Sequence, residues 1–260
     1  IGSNDARRRT FVVRGGRLIQ IPDGLQFMAP TRVAPVLKSP LLGVGAKLRM
    51  AAELLRRPSG ERPDRSVAEF VADHYGKEVN EYLAQPMLAG VYGAEPEVLS
   101  VNAVLPRFVE LETRYGSLSR GLMAGMKKAR PTDAPRPSLF QTLRGGMQTL
   151  TDELAARIAG QAERVQGTVM GLAKTNGRWT VHLEGASLEA DAVILALPAY
   201  ESARLLAPID SEIPEPLRSI PYGSSITVGL VYERPAFTHP LKGFGFLVPR
   251  AEGCLLAACT

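Results

Sequence analysis

The chain has 260 residues, 45% of them hydrophobic and 22% charged, with a net charge of +5. That length supports one large domain or two modest ones around a buried core, and the composition excludes a fibrous, disordered or disulfide-stapled chain. The basic balance suits an anionic ligand, an anionic membrane surface or nucleic acid, but no interleaving of aromatic and basic residues supports nucleic acid.

Phe11 to Ile21 alternates apolar and polar residues around Arg14-Gly15-Gly16, which predicts a hairpin whose glycines supply positive φ. Prolines 22, 30, 35 and 40 punctuate an irregular stretch. From Ala46 to Arg57 a helix is predicted, with Leu48, Ala51, Ala52 and Leu55 on its apolar face. Ser66-Val-Ala-Glu69 is a capping box that opens a helix with Val67, Phe70 and Val71 as its buried stripe, stopped by Gly76. Further helices are predicted over Glu78–Ala89, between Asn102 and Tyr115, and over Ser119–Ala129. The last of these ends in Lys127, Lys128 and Arg130, which suit a helix C-terminus. A loop follows at Pro131–Pro137, and Met147, Leu150, Leu154 and Ile158 then space out an amphipathic helix.

After Ile158 the period becomes extended. Val165–Ala173 and Trp179–Leu183 form a hairpin through Thr175-Asn-Gly-Arg178. Ala190 to Pro198 reads as a continuously apolar strand buried on both faces. A short helix at Glu201–Leu206 and strands at Ile226–Val231 and Phe244–Val248 complete the pattern. Cys254 and Cys259 lie in one extended region, where two thiols cannot easily approach, so they read as reduced.

No GxGxxG follows a strand, so the sequence carries no pyrophosphate cradle of the Rossmann kind. The three histidines, His74, His182 and His239, show no ligand spacing, and no metal site is predicted. His74 projects onto the polar side of its helix and reads as solvated. Glu110 and Glu112 are two apart and do not share a helical face. No apolar run approaches the roughly 20 residues that span a bilayer. There is no signal peptide, the chain begins at Ile1, and both ends read as cuts.

One longer constellation rises above this background. Asp64-Arg-Ser-Val-Ala-Glu-Phe-Val-Ala-Asp-His-Tyr-Gly76 precedes Gln85-Pro-Met-Leu-Ala-Gly-Val-Tyr-Gly-Ala-Glu-Pro96 and Leu99-Ser100. Leu105-Pro106, Glu112, Gly116-Ser-Leu-Ser-Arg-Gly121, Gly145-Gly-Met147 and Ala196-Leu-Pro198 follow. This pattern resembles the protoporphyrinogen and coproporphyrinogen oxidase branch of the flavin amine-oxidase superfamily. The likeness runs from Phe11 to Cys259 and is most specific over Pro86–Ser100. Arg65, where an acidic residue is usual, and the Gly93-Ala94 order depart from the pattern and read as differences of loop detail.

The resemblance implies an α+β chain: a substrate-binding domain at 11–145 with a helical portion at 46–130 and a mixed sheet, then a partial α/β FAD-binding domain at 146–206. Residues 207–260 would return to the substrate domain. The N-terminal Rossmann βαβ and its glycine-rich loop would lie outside this chain, so it should retain FAD weakly or not at all. It also implies an FAD-dependent, oxygen-utilising oxidation of a porphyrinogen in heme biosynthesis, with no catalytic acid–base residue, because the flavin carries the chemistry. Val169, Ala196 and Pro198 match positions near the dinucleotide. Gly90, Tyr222 and Ser225 match the substrate pocket, and Arg8 or Arg9 could meet the substrate's propionates. Plainer readings stand beside these: Gly90 as a helix C-cap, Tyr222 as a half-buried aromatic, Arg8 and Arg9 as part of a loose terminus. The implied partners are a porphyrinogen and O2, with no nucleic acid, in a cytoplasmic setting that leaves peripheral membrane contact and a homodimer open. Two alternatives remain, a non-catalytic tetrapyrrole-binding remnant and an amine or carotenoid oxidase of the same superfamily.

Overall fold

A computed structural model of the chain describes residues 1–2, 9–128, 141–233 and 243–260. Arg7, Arg8, Arg130, His239 and the Pro131–Pro137 loop lie outside the described residues. The chain divides into two units: residues 142–224 with Ile1, and residues 2–141 with 225–260.

The larger unit opens with the hairpin of β1 (Thr10–Arg14) and β2 (Arg17–Gln20). Gly15 and Gly16 turn it at φ of 57° and 70°, and Phe11 pairs with Gln20 through to Arg14 with Arg17. The proline-punctuated stretch is more regular than its composition suggests. It contains a two-residue-strand hairpin, β3 (Leu25–Gln26) and β4 (Ala29–Pro30), and then α1 (Val33–Lys38). Next comes α2 (Val44–Glu53), and here the predicted face is reversed. Leu48 is 67% exposed and Leu55 81% exposed, while Ala46, Met50 and the carboxylate of Glu53 point inward. Polar partners inside the unit hold Glu53, and that holds the rotation of the helix.

The capping box forms as its spacing predicts. The Ser66 hydroxyl accepts from the Glu69 amide at 3.1 Å, and the Glu69 carboxylate accepts from the Ser66 amide at 3.0 Å. It starts α3 (Val67–Tyr75), whose Val67, Phe70, Val71 and Tyr75 are fully buried. The following helix is longer than predicted. It runs as α4 (Lys77–Val79), a π-helical segment at Asn80–Ala84, and α5 (Gln85–Tyr92). Its C-cap is Gly93, left-handed at φ 62°. Gly90 therefore lies inside the helix and is not its cap. Three helices close the set: α6 (Val101–Val104), α7 (Pro106–Tyr115) and α8 (Leu118–Lys128). Gly116 joins the last two at φ 70°, where a Cβ would lie 2.2 Å from the Arg57 carbonyl carbon.

The smaller unit contains α9 (Gln148–Ile158) and an antiparallel sheet in the order β5 (Val169–Thr175), β6 (Arg178–Leu183), β7 (Ala186–Ala190). Asn176 and Gly177 make the first turn at positive φ, as the Asn-Gly signal predicts. β7 has no counterpart among the predicted elements. The apolar stripe Met147, Leu150, Leu154 and Ile158 of α9 is exposed. The predicted strand over Ala190–Pro198 is not formed, and Ile194 is 93% exposed. A strand needs ladder partners for its amides and carbonyls, and beyond Ala190, which closes β7 opposite Trp179, no described strand pairs with this run. The unit ends with α10 (Ala199–Leu206) and α11 (Pro214–Arg218).

Back in the larger unit, the strand predicted at Ile226–Val231 is absent for the same reason, and Ile226 and Val231 are exposed. β8 (Gly245–Leu247) pairs parallel with β1, and β9 (Ala258–Cys259) pairs antiparallel with β8. The result is a mixed sheet in the order β2-β1-β8-β9. Cys254 falls outside β9, so the two cysteines do not share one strand; both are free and exposed. The core of this unit joins Val12 of the sheet to Met28, Leu41, Phe70, Leu83 and Leu118.

Candidate functional site

The concave feature most relevant to a flat ligand lies where the hairpins meet α5. An open groove of about 400 Å³ is lined by Arg9, Ile21, Asp23, Leu25, Phe27 and Met87, among others. Each wall has a local cause. The Arg9 carbonyl accepts from the Phe244 amide at 2.7 Å, which ties Arg9 to the residue that leads into β8. The Gly24 carbonyl accepts from the Thr31 amide and hydroxyl at 2.7 and 2.8 Å, which fixes the β3–β4 hairpin. The π-helical segment sets the register of α5 and so the placement of Met87. Arg14 braces the same helix: it pairs with Glu78 at 2.7 Å and lies 4.4 Å from the centre of the Tyr82 ring. The groove lining thus combines one basic residue, Arg9, and one acidic residue, Asp23, with apolar and aromatic residues.

Gly90 lies one turn beyond Met87, on the same side of α5. It is exposed, and a Cβ there would meet only Leu247 Cδ2, at 3.9 Å. Tyr222 belongs to the smaller unit. Its hydroxyl accepts from the Ala199 amide at 2.7 Å, and its ring meets Tyr200 edge-on at 5.2 Å. Tyr222 is exposed rather than half-buried, and Ser225 is exposed in a stretch without regular structure.

The flavin that the resemblance implies needs a cradle for its dinucleotide. Val169 begins β5 half-buried, whereas Ala196 and Pro198 are exposed and outside any strand. The first amide of α10, next to them, already donates to Tyr222. These residues do not make a cradle for a dinucleotide.

A second cluster lies inside the helices of the larger unit, and sequence reasoning missed it. His74 is 1% exposed, not solvated. Its Nδ1 lies 3.2 Å from Glu53 Oε1 and its Nε2 lies 3.1 Å from Glu112 Oε1. With a carboxylate at each nitrogen, the ring satisfies both contacts as a donor only in its charged form. The Ser117 hydroxyl and Leu118 amide also donate to Glu53, at 2.9 and 2.6 Å. Arg65 binds Glu112 at 2.6 Å, so its departure from the sequence pattern builds this network and is not a loop detail.

Burial by itself would raise the Glu53 carboxyl, but hydrogen bonds from His74, Ser117 and Leu118 outweigh it and hold the group below its ordinary value. At Glu112 burial is likewise outweighed, by hydrogen bonds from His74 and Arg65. Asp73, His74 and Glu112 offer ligand atoms within 4.8 Å of one another, a grouping no sequence spacing announced. Arg56, Arg62 and Arg65 already converge on these carboxylates, so the cluster is charge-matched by guanidinium groups. It is a structural ion network. Among the described residues no helix is long and apolar enough to cross a membrane.

Comparison with known proteins agrees with the sequence resemblance. The chain is 30% identical to coproporphyrinogen III oxidase of Bacillus subtilis over 99% of its own length and 55% of that protein. It is 31% identical to protoporphyrinogen oxidase of Bos taurus, over 96% of this chain and 53% of that one. A crystal structure of an Exiguobacterium sp. 255-15 protein assigned as a protoporphyrinogen oxidase superposes with a TM-score of 0.73 at 25% identity. That match covers 98% of this chain and 54% of the other. The chain therefore spans about half the length of the curated relatives it matches. Residues 2–255 match the family described as flavin containing amine oxidoreductase, and the chain belongs to that family.

Proposed function

We propose that this chain supplies the porphyrinogen-binding part of an FAD-dependent, oxygen-utilising enzyme that oxidises a porphyrinogen to a porphyrin in heme biosynthesis. One observation carries the reading: the groove between the hairpins and α5 is lined by Arg9 together with the apolar residues Phe27, Leu25 and Met87. A tetrapyrrole has the matching chemistry, a flat apolar body with carboxylates at its edge. The names of the relatives supply the substrate class. In this reading residues 11–145, with the helical portion at 46–130, form the substrate-binding domain. Residues 146–206 form part of a flavin domain, and 207–260 return to the first. Gly90 leaves the wall of α5 open to the macrocycle, while the assignment of Tyr222 and Ser225 to the substrate rests on the family resemblance. Val169, Ala196 and Pro198 would approach the dinucleotide only with further protein around them.

Binding tests this directly. Coproporphyrin III or protoporphyrin IX, the oxidised products, should bind the chain and change their fluorescence. Arg9→Ala should weaken that binding more at low salt than at high salt, because an exposed guanidinium acts through a screened field. Failure of both porphyrins to bind would overturn the reading. A chain that binds porphyrin but retains no added FAD acts as a tetrapyrrole-binding module, with oxidation dependent on protein beyond these residues.

A further inference from the structure

The β3–β4 hairpin holds a conflict between backbone and side chain. Leu25 pairs with Pro30 and Gln26 with Ala29, so two residues, Phe27 and Met28, must make the turn. Met28 is fully buried in the core, which fixes the register. Phe27 is thereby driven to φ 58°, at the first turn position, where this kind of two-residue loop normally places glycine. A bulky side chain at positive φ is an outlier, and such strain persists where surrounding structure enforces it, often at ligand sites. The ring is half-buried, lies 6.1 Å from Phe108 at 58°, and forms part of the groove wall that Arg9 and Met87 complete.

We infer that Phe27 is a substrate-contacting residue: its ring is held in a strained turn to offer an aromatic face to the planar body of the ligand in this groove. The inference rests on the porphyrinogen reading above and adds to it the residue that recognises the flat macrocycle, as distinct from Arg9, which meets its charged edge. Glycine would make the turn without strain but would leave the wall open.

The test compares wild type, Phe27→Gly and Phe27→Tyr as whole chains, measuring melting temperature and coproporphyrin III affinity of the folded fraction. Phe27→Gly should melt within a few degrees of wild type, because relief of the backbone offsets lost packing, and should bind roughly two- to tenfold more weakly. Phe27→Tyr keeps the ring and should bind as wild type does. If wild type binds and Phe27→Gly binds equally well, the role of Phe27 is overturned and the porphyrinogen reading stands. A Phe27→Gly chain whose melting temperature collapses while its folded fraction binds normally would assign the ring to the core and overturn the inference as well. A wild-type chain that binds no porphyrin refutes the parent reading instead, and the inference falls with it.

Discussion

Replacing His74 with leucine should remove the centre of the buried ion network with little change in volume. Glu112 would keep Arg65 at 2.6 Å, but Glu53 would keep uncharged donors, the Ser117 and Ser119 hydroxyls and the Leu118 amide. Hydrogen bonds to charged groups are worth about 1.5–3 kcal/mol each, and removing one partner of a buried pair costs about 3–5 kcal/mol. The loss should therefore be about 3–5 kcal/mol, a large share of a typical domain stability of about 5–15 kcal/mol. For a unit of this size that corresponds to a fall of roughly 6–20 °C in melting temperature. Urea denaturation followed by circular dichroism measures it, with His182→Leu as the control. His182 is exposed and its ring hydrogen-bonds to Ser187 in the same sheet, so its loss should stay within about 0.5 kcal/mol. A double variant with Glu53→Gln should cost less than the two single changes added together, since it removes the stranded charge. A loss under about 1 kcal/mol for His74→Leu, equal to the surface control, would refute the account of the cluster as a stabilising network.

The same carboxylates set the response to acid. The folded-state pKa values of Glu53 and Glu112 lie below the ordinary value of 4.5, so their stabilisation is full above 4.5 and is lost as pH falls through the lower folded values. Urea midpoints should therefore hold from pH 7 to 5 and drop below about 4.5, less steeply in the His74→Leu chain; equal slopes would count against it. Gly116→Ala should cost about 2 kcal/mol or more in urea denaturation, because the position combines φ 70° with a Cβ 2.2 Å from Arg57. Gly90→Val should change stability by less than about 1 kcal/mol, since its helix is regular and Leu247 is 3.9 Å away. If Gly90 opens the wall of the groove, the valine should instead weaken porphyrin affinity measured on the same preparation.

Signals that close within a few residues were legible in the sequence. Ser66 and Glu69 start α3 by satisfying each other's amides, and Gly15-Gly16 and Asn176-Gly177 turn their hairpins because those backbones need positive φ. The family could also be read, since the motifs from Asp64 to Ser100 survive as residues whether or not their contacts are known. Periodicity placed Leu48 and Leu55 on one face of the helix predicted over Ala46–Arg57, but it cannot say which face packs inward; Glu53 decided that through partners 21 and 65 residues away. His74 looked solvated for the same reason, because both carboxylates that receive it come from other helices. The apolar run at 190–198 shows the opposite limit: composition favours a strand, but pairing makes one, and past Ala190 no described strand pairs with it. The turn at Phe27 gave no signal at all. Only burial of Met28, fixed by the tertiary core, forces the aromatic residue before it into a conformation that its own chemistry disfavours.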